Sequence, residues 1–445
     1  MPTRRSATRT RTGGPRRRAL VSAGAALTCV LALTSCGSGD DDGSGGGGDG
    51  KTLRLWHYEA QNSAMGVAWN AAIKEFEAQH PGVEVKFEEK SFDQIQKTAS
   101  MVLGSDDAPD LMEYNKGNAT AGLLSKQGLL TDMSAEVKKR GWDKALSPSV
   151  ATTSRYSPTG AMGSGKWYGV PNYGEFLRAY YNEDLFKKYG VKVPTTFDEL
   201  TDALGEFKAK GVTPLANSGA EYLAHQYVYQ LALTKADRAW VDDYELKGKA
   251  DFHDEAWTYA AETFADWVKK GYISKDTTSA TAEKAGVSWL RQKSPIIFSG
   301  TWWFGRFEDE AKFKWSSGIF PGASLTPGSG GNLWVVPAKS KNKELAYDFI
   351  DITMSKKIQN LLGSKGGVPV AADASAAKDP KSQALIGDFN TLSEKNGLAY
   401  YSDWPVAGFY ETLVSETQKL MTGSASPDKY LDALQAAYDK GASKG

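Results

Sequence analysis

Along residues 51–58 (KTLRLWHY) apolar and polar positions alternate one for one, and along 64–80 the apolar spacing lengthens to three or four, with Trp69, Ile73 and Phe76 on one stripe. The first period predicts a half-buried strand and the second an amphipathic helix. Pro81-Gly82 ends that helix; 83–88 then reads as a second strand, 93–103 as a second helix, and 110–114 as a short third strand after Asp107-Ala108-Pro109. Strand-helix-strand-helix-strand order predicts a parallel sheet with right-handed crossovers. Such sheets bind ligands at the carboxyl ends of their strands.

Further along, the chain is richer in Tyr, Trp and Gly. Residues 166–173 (KWYGVPNY) predict a strand, 182–189 a short helix, and Thr196 with Glu199 a capping box that opens another helix after Pro194. Helical periods recur at 222–233 and 254–270, followed by a buried strand at 295–298, another strand at 332–336, and a helix at 345–354. The remaining C-terminal part reads as helical, with Pro427 opening a final amphipathic helix to Tyr438.

The N-terminus has a different pattern. Arg4, Arg5, Arg9, Arg11 and Arg16, Arg17 and Arg18 precede an apolar run over 19–33 that closes in Leu33-Thr34-Ser35-Cys36. That run is shorter than the roughly 20 apolar residues a spanning helix needs, so 1–35 is expected to be a cleavable export segment. Its end resembles a lipobox, which makes Cys36 the expected lipidated N-terminus, with 36–50 a Gly/Ser/Asp tether. Arg16-Arg17-Arg18-Ala19-Leu20 resembles a twin-arginine signal only in part, which leaves the export route open.

Removing the leader changes the charge. Its seven arginines leave 46 basic residues against 53 acidic ones, a net charge of about −7 where the full chain is neutral. An acidic chain argues against nucleic acid as a partner. Both cysteines, Cys29 and Cys36, lie in or at the end of the leader, so no disulfide is expected in the exported protein. A chain of this length buries enough apolar surface without one and is expected to divide into two domains.

Ordered landmarks then carry a family resemblance. They are Trp56-His57-Tyr58-Glu59, His80-Pro81-Gly82-Val83, Pro109-Asp110-Leu111, 168–173 (YGVPNY), 180–186 (YYNEDLF), 194–200 (PTTFDEL), Gly300-Thr301-Trp302-Trp303, Gly330-Gly331-Asn332-Leu333 and 342–346 (NKELA). In this order the chain resembles the extracellular solute-binding proteins of ABC importers, in the sugar-binding cluster that includes maltodextrin-binding proteins. The resemblance implies an α/β, two-lobed periplasmic-binding-protein-like fold of type II with hinge strands between the lobes. It places lobe 1 at 51–162 and 299–353, and lobe 2 at 163–298 and 354–445. It also implies a lipid-anchored monomer on the outer face of the cell membrane that binds a neutral di- or oligosaccharide and hands it to the transmembrane subunits of a permease.

A sugar offers apolar ring faces and a rim of hydroxyls, so its site needs aromatic planes together with amides and carboxylates. Adjacent Trp302 and Trp303, in a Gly/Ser/Thr context beyond a buried strand, are candidates for a stacking platform; packing between lobes is the alternative. Trp404, in Ser402-Asp403-Trp404-Pro405, is another candidate aromatic, with core packing again the alternative. Polar candidates follow strand ends: Tyr58 and Glu59 after the first strand, Glu113, Tyr114 and Asn115 at the third, Asn172, Tyr173 and Glu175 beyond 166–171, and Asn332 after paired glycines. Each is equally a turn or cap residue when taken alone. The carboxylates also leave open a secreted glycoside hydrolase, and a non-sugar solute is a further alternative. His57, His80, His225 and His253 lack metal-ligand spacing, and no phosphate-binding glycine loop occurs, so neither metal nor cofactor is expected.

Overall fold

Leu53, Leu55 and His57 are buried while Thr52, Arg54 and Trp56 are half-buried, so the first strand shows the alternation its sequence predicts. The structure, a computed structural model, describes residues 51–370, 375 and 377–442. Cys36, the leader and the tether lie outside the described residues.

The strands in chain order are β1 (Thr52–His57), β2 (Glu84–Glu89), β3 (Leu111–Tyr114), β4 (Arg155–Tyr156), β5 (Lys166–Trp167), β6 (Val170–Pro171), β7 (Gly174–Asn182), β8 (Leu215–Ala216), β9 (Ile296–Gly300), β10 (Trp315–Gly318), β11 (Gly328–Gly330) and β12 (Leu333–Val335). They form two main sheets. The first has the order β2-β1-β3-β12-β6, with β1 parallel to both β2 and β3 and β12 antiparallel to β3 and β6. The second has the order β10-β7-β9-β8, with β11 also on β7. This is the two-lobed α/β architecture with hinge strands that the sequence implied.

Helix ends follow local chemistry. Ser63 Oγ accepts the Gly66 N–H at 2.9 Å to start helix Ala64–Gln79, which ends at His80, just before Pro81-Gly82. Thr196 Oγ1 accepts the Glu199 N–H at 3.2 Å, but the returning Glu199 carboxylate takes the Thr195 N–H at 2.8 Å, one residue earlier than a capping box requires. Aromatic contacts pin helix to sheet in the first lobe. Trp69 meets Trp334 of β12 at 5.4 Å between ring centroids, and Phe76 meets Phe349 of the neighbouring helix Lys343–Met354 at 5.8 Å.

Several expectations change. The strand expected over 166–173 is broken into β5 and β6, and the chain then crosses to the second sheet between Pro171 and Gly174. The unexpected β7 is the central strand of the second sheet, and all nine of its residues are buried.

The return crossing lies between Gly330 and Leu333, beside the outward one: the Asn172 N–H donates to the Asn332 carbonyl at 3.1 Å. Strand pairing therefore differs from the expected return at residue 299, because β10 and β11 still hydrogen-bond to β7. Helix Lys356–Ser364 likewise packs on helix Ala64–Gln79, with Lys357 Nζ 2.8 Å from Glu75 Oε2, although 354 onward was expected in lobe 2.

Candidate functional site

Because β1 and β3 are parallel neighbours, the residues that follow them emerge on the same side of the first sheet. Tyr58 and Glu59 follow β1, Asn115 and Lys116 follow β3, and Tyr173 and Asn332 stand on the two crossings. All six line one cavity of about 190 Å³, together with Glu175 of β7.

The polar wall is a buried network. Lys116 Nζ donates to Glu175 Oε1 at 2.6 Å and to Asn332 Oδ1 at 3.3 Å; the lysine side chain is 1% exposed and the glutamate 6%. Tyr173 OH lies 3.2 Å from both Glu59 Oε1 and Glu175 Oε2, and with one proton it donates to one of them at a time. Asn332 Nδ2 donates to the same phenol oxygen at 2.8 Å. Burial drives the Glu59 carboxyl well above its ordinary range, reinforced by the charge of Glu113 and opposed by the Tyr173 hydrogen bond. Burial also lifts Asp403, which lines the same cavity, to about 7. Below Glu59, His57 is stacked on Phe87 with ring centroids 3.5 Å apart, and burial lowers its pKa to about 4. The imidazole is therefore neutral, and its Nδ1 accepts the Glu59 N–H at 3.3 Å.

The aromatic wall comes from elsewhere in the chain. Trp302 sits in a 3₁₀ turn (Thr301–Trp303) directly after β9 and donates its indole N–H to Tyr222 OH at 3.1 Å. Its ring folds back over Gly300, where a Cβ would lie 1.9 Å from the indole, so only glycine fits. Trp404 packs on Gly117, which has φ of 104°, and Lys116 Nζ lies 5.1 Å from its ring centroid, a cation–π contact. Buried side chains hold the loop that carries Tyr401, Asp403 and Trp404. Tyr229 OH donates to the Ala399 carbonyl at 2.8 Å and Tyr244 OH to the Ser402 carbonyl at 2.6 Å, while His225 Nδ1 lies 3.3 Å from Ser402 Oγ.

A second cavity of about 470 Å³ adjoins the first and shares Tyr58, Glu59, Tyr222 and Trp302 with it. Of the residues expected from sequence, Tyr58, Glu59, Asn115, Tyr173, Glu175, Trp302, Asn332 and Trp404 line the first cavity. Trp303 lines only the second; its ring covers Gly286, stacks with Phe307 at 5.2 Å and carries the Arg306 guanidinium at 4.8 Å. Glu113 and Asn172 line neither. They bond to each other, Nδ2 to Oε1 at 2.9 Å, and burial raises Glu113 to about 7 against that bond.

Sequence reasoning missed Phe92, Lys116, Tyr222, Gln226, Tyr401, Asp403 and Tyr410. Lys116 adjoins Asn115 at the strand end, and Asp403 adjoins Trp404, so proximity to the named candidates was the available signal. No group of three or more His, Cys, Asp or Glu side chains suited to a metal ion occurs among the described residues.

Comparison with known proteins yields consistent matches. Residues 60–360 match the family described as bacterial extracellular solute-binding protein. A multiple sugar-binding protein of Streptococcus mutans is 24% identical over 335 residues, 71% of this chain and 74% of that protein. The diacetylchitobiose binding protein DasA of Streptomyces coelicolor is 26% identical over 334 residues, 72% of this chain and 73% of its own. Among solved structures, one from work on xylan utilization by the thermophilic bacterium Caldanaerobius polysaccharolyticus superimposes with a TM-score of 0.76 at 23% identity, covering 87% of this chain and 99% of that one.

Proposed function

The chain belongs to the bacterial extracellular solute-binding protein family, and from that premise we propose that it is the capture subunit of an ABC sugar importer, taking a di- or oligosaccharide outside the cell to a membrane permease. The observation that carries this reading is one cavity with an aromatic wall, Trp302, Tyr401 and Trp404, and a carboxylate and amide wall, Glu59, Asn115 and Asn332. Ring faces stack on the first and hydroxyls bond to the second. The names of the Streptococcus and Streptomyces relatives, and the xylan context of the structural neighbour, support a saccharide over other solutes.

The protein performs no chemistry on its ligand. Binding closes the two lobes about the paired crossings, and the closed form is what the permease reads. Lipid at Cys36 holds the monomer at the outer face of the membrane, and the tether over 36–50 gives it reach. Calorimetry of the full chain against a panel of xylo-, cello-, malto- and amino-sugar oligomers tests the ligand class. Micromolar or tighter binding of one of them is expected, together with a smaller radius of gyration in X-ray scattering. Binding only of amino acids or anions would refute the reading.

A further inference from the structure

The cavity holds more acid than its cations neutralise. Glu59, Glu175 and Asp403 line it, and Lys116 is the one cationic side chain among its described lining residues. That ammonium is committed to Glu175 and Asn332. Glu59 is met by neutral donors, the Tyr173 phenol and the Asn332 amide, and Asp403 accepts no hydrogen bond from another side chain among the described residues. Two buried carboxylates, Glu59 and Asp403, thus have only the longer-range attraction of a single ammonium that is already in contact with Glu175.

Two further groups point the same way. Gln226 and Tyr401, 5% and 4% exposed, belong to the lining, and Gln226 Oε1 and Tyr401 OH have no hydrogen-bond partner among the described residues. An ammonium donates three hydrogen bonds and accepts none, which suits carboxylate, amide oxygen and phenol oxygen together. Aromatic faces around it add cation–π attraction, as Trp404 already does for Lys116. With its one cationic lining residue already paired, the cavity suits a cationic ligand better than an anionic one.

Resting on the saccharide reading, we propose that the ring seated in this cavity carries a free, protonated amine, so that the ligand is an amino sugar or an oligosaccharide ending in one. Asp403 supplies the principal counter-charge, and Gln226 and Tyr401 supply acceptors. A hydroxyl would donate a single hydrogen bond to this set, whereas an ammonium donates three and brings the opposite charge.

The test is a set of matched pairs that differ only in amine against hydroxyl: glucosamine and glucose, galactosamine and galactose, and the β-1,4 glucosamine dimer and cellobiose. Each is titrated calorimetrically into the full chain at neutral pH, with spermidine as a sugar-free amine. At least one amine member is expected to bind ten-fold or more tighter than its partner, and Asp403→Asn should remove most of that preference in a protein whose circular dichroism is unchanged. A neutral member that binds as well as its amine partner overturns this inference and leaves the saccharide reading standing. Binding of spermidine alone, or of no sugar in the pairs or the wider panel, overturns both. If Asp403→Asn fails to fold, Gln226→Leu supplies the second test, and an unchanged amine preference there counts against the proposed acceptor set.

Discussion

On one side of the cavity Glu59, Asn115, Lys116 and Asn332 stand just beyond β1 and β3 and just before β12, fixed by the ladders of the first sheet. On the other, Tyr222 begins a helix, Trp302 occupies a turn, and Tyr401 and Trp404 ride on a loop clipped from behind by Tyr229, Tyr244 and His225. The polar wall is held by buried charge and hydrogen bonds, so disturbing it leaves groups without partners. The aromatic wall is held from behind by hydrogen bonds to its backbone and presents ring faces to the cavity, so disturbing its less buried member Trp302 should remove cavity surface while the fold persists. Stability and affinity should therefore separate by wall.

The largest effect is expected at Lys116. Lys116→Met leaves the Glu175 carboxylate buried without its partner, which should cost about 3–5 kcal/mol in chemical denaturation. The double variant Lys116→Met with Glu175→Gln should regain most of that loss. Equal stabilities of the single and double variants would mean that the ion pair is not what holds this wall.

Next come the adjacent tryptophans, which should behave oppositely. Trp303 is 6% exposed and packed, so Trp303→Ala should cost about 3–5 kcal/mol of stability through the cavity it leaves. Trp302 is only half-buried, so Trp302→Ala should melt within a few degrees of wild type. It should lose about 1.5–3 kcal/mol of binding, or about 10- to 150-fold in affinity for the sugar that the panel identifies. Wild-type affinity in Trp302→Ala would remove it from the ligand surface.

A related change acts on the same ring from beneath. Gly300→Ala puts a methyl where the Trp302 indole lies and should cost about 1–3 kcal/mol while displacing the ring toward the cavity. Sugar affinity should fall with it. Unchanged affinity and unchanged tryptophan emission would show that the ring tolerates the methyl.

One effect depends on pH. Glu113 titrates at about 7 in the folded protein against an ordinary 4.5, so folding favours its protonated form. Its contribution is complete below about pH 4.5 and is lost as pH rises through 7, at up to about 1.4 kcal/mol per pH unit. Glu113→Gln has no such loss and keeps an acceptor for Asn172. Its melting point relative to wild type should therefore climb between pH 5 and pH 8; a constant offset would show that Glu113 is ionised throughout.

How far the sequence revealed these walls depends on periodicity. β1, β3 and helix Ala64–Gln79 were legible because each has a face toward the core and a face away from it. β7 was not, because a strand buried on both faces shows no alternation, and Arg178 and Asn182 within it look like surface residues until their partners are known. Arg178, for example, is 1% exposed and reaches Asp388 at 2.7 Å, a partner more than two hundred residues away. The strand-end candidates were legible for the same local reason as β1. Lys116 was not, because an isolated lysine reads as solvated, and Tyr222, Gln226 and Tyr401 join the site only through tertiary convergence.

The paired crossings have a mechanical consequence. Tyr173 and Asn332 lie on the two segments that join the sheets, are hydrogen-bonded to one another, and reach Glu59. Points near an axis travel least when bodies rotate. Under the closure proposed above, a ligand would engage this trio before the lobes move, while Trp302, carried on the second sheet's side, would sweep a longer arc and arrive last. Capture by that motion would have an order in time: recognition at the axle first, enclosure by the rim afterwards, with release retracing the same path.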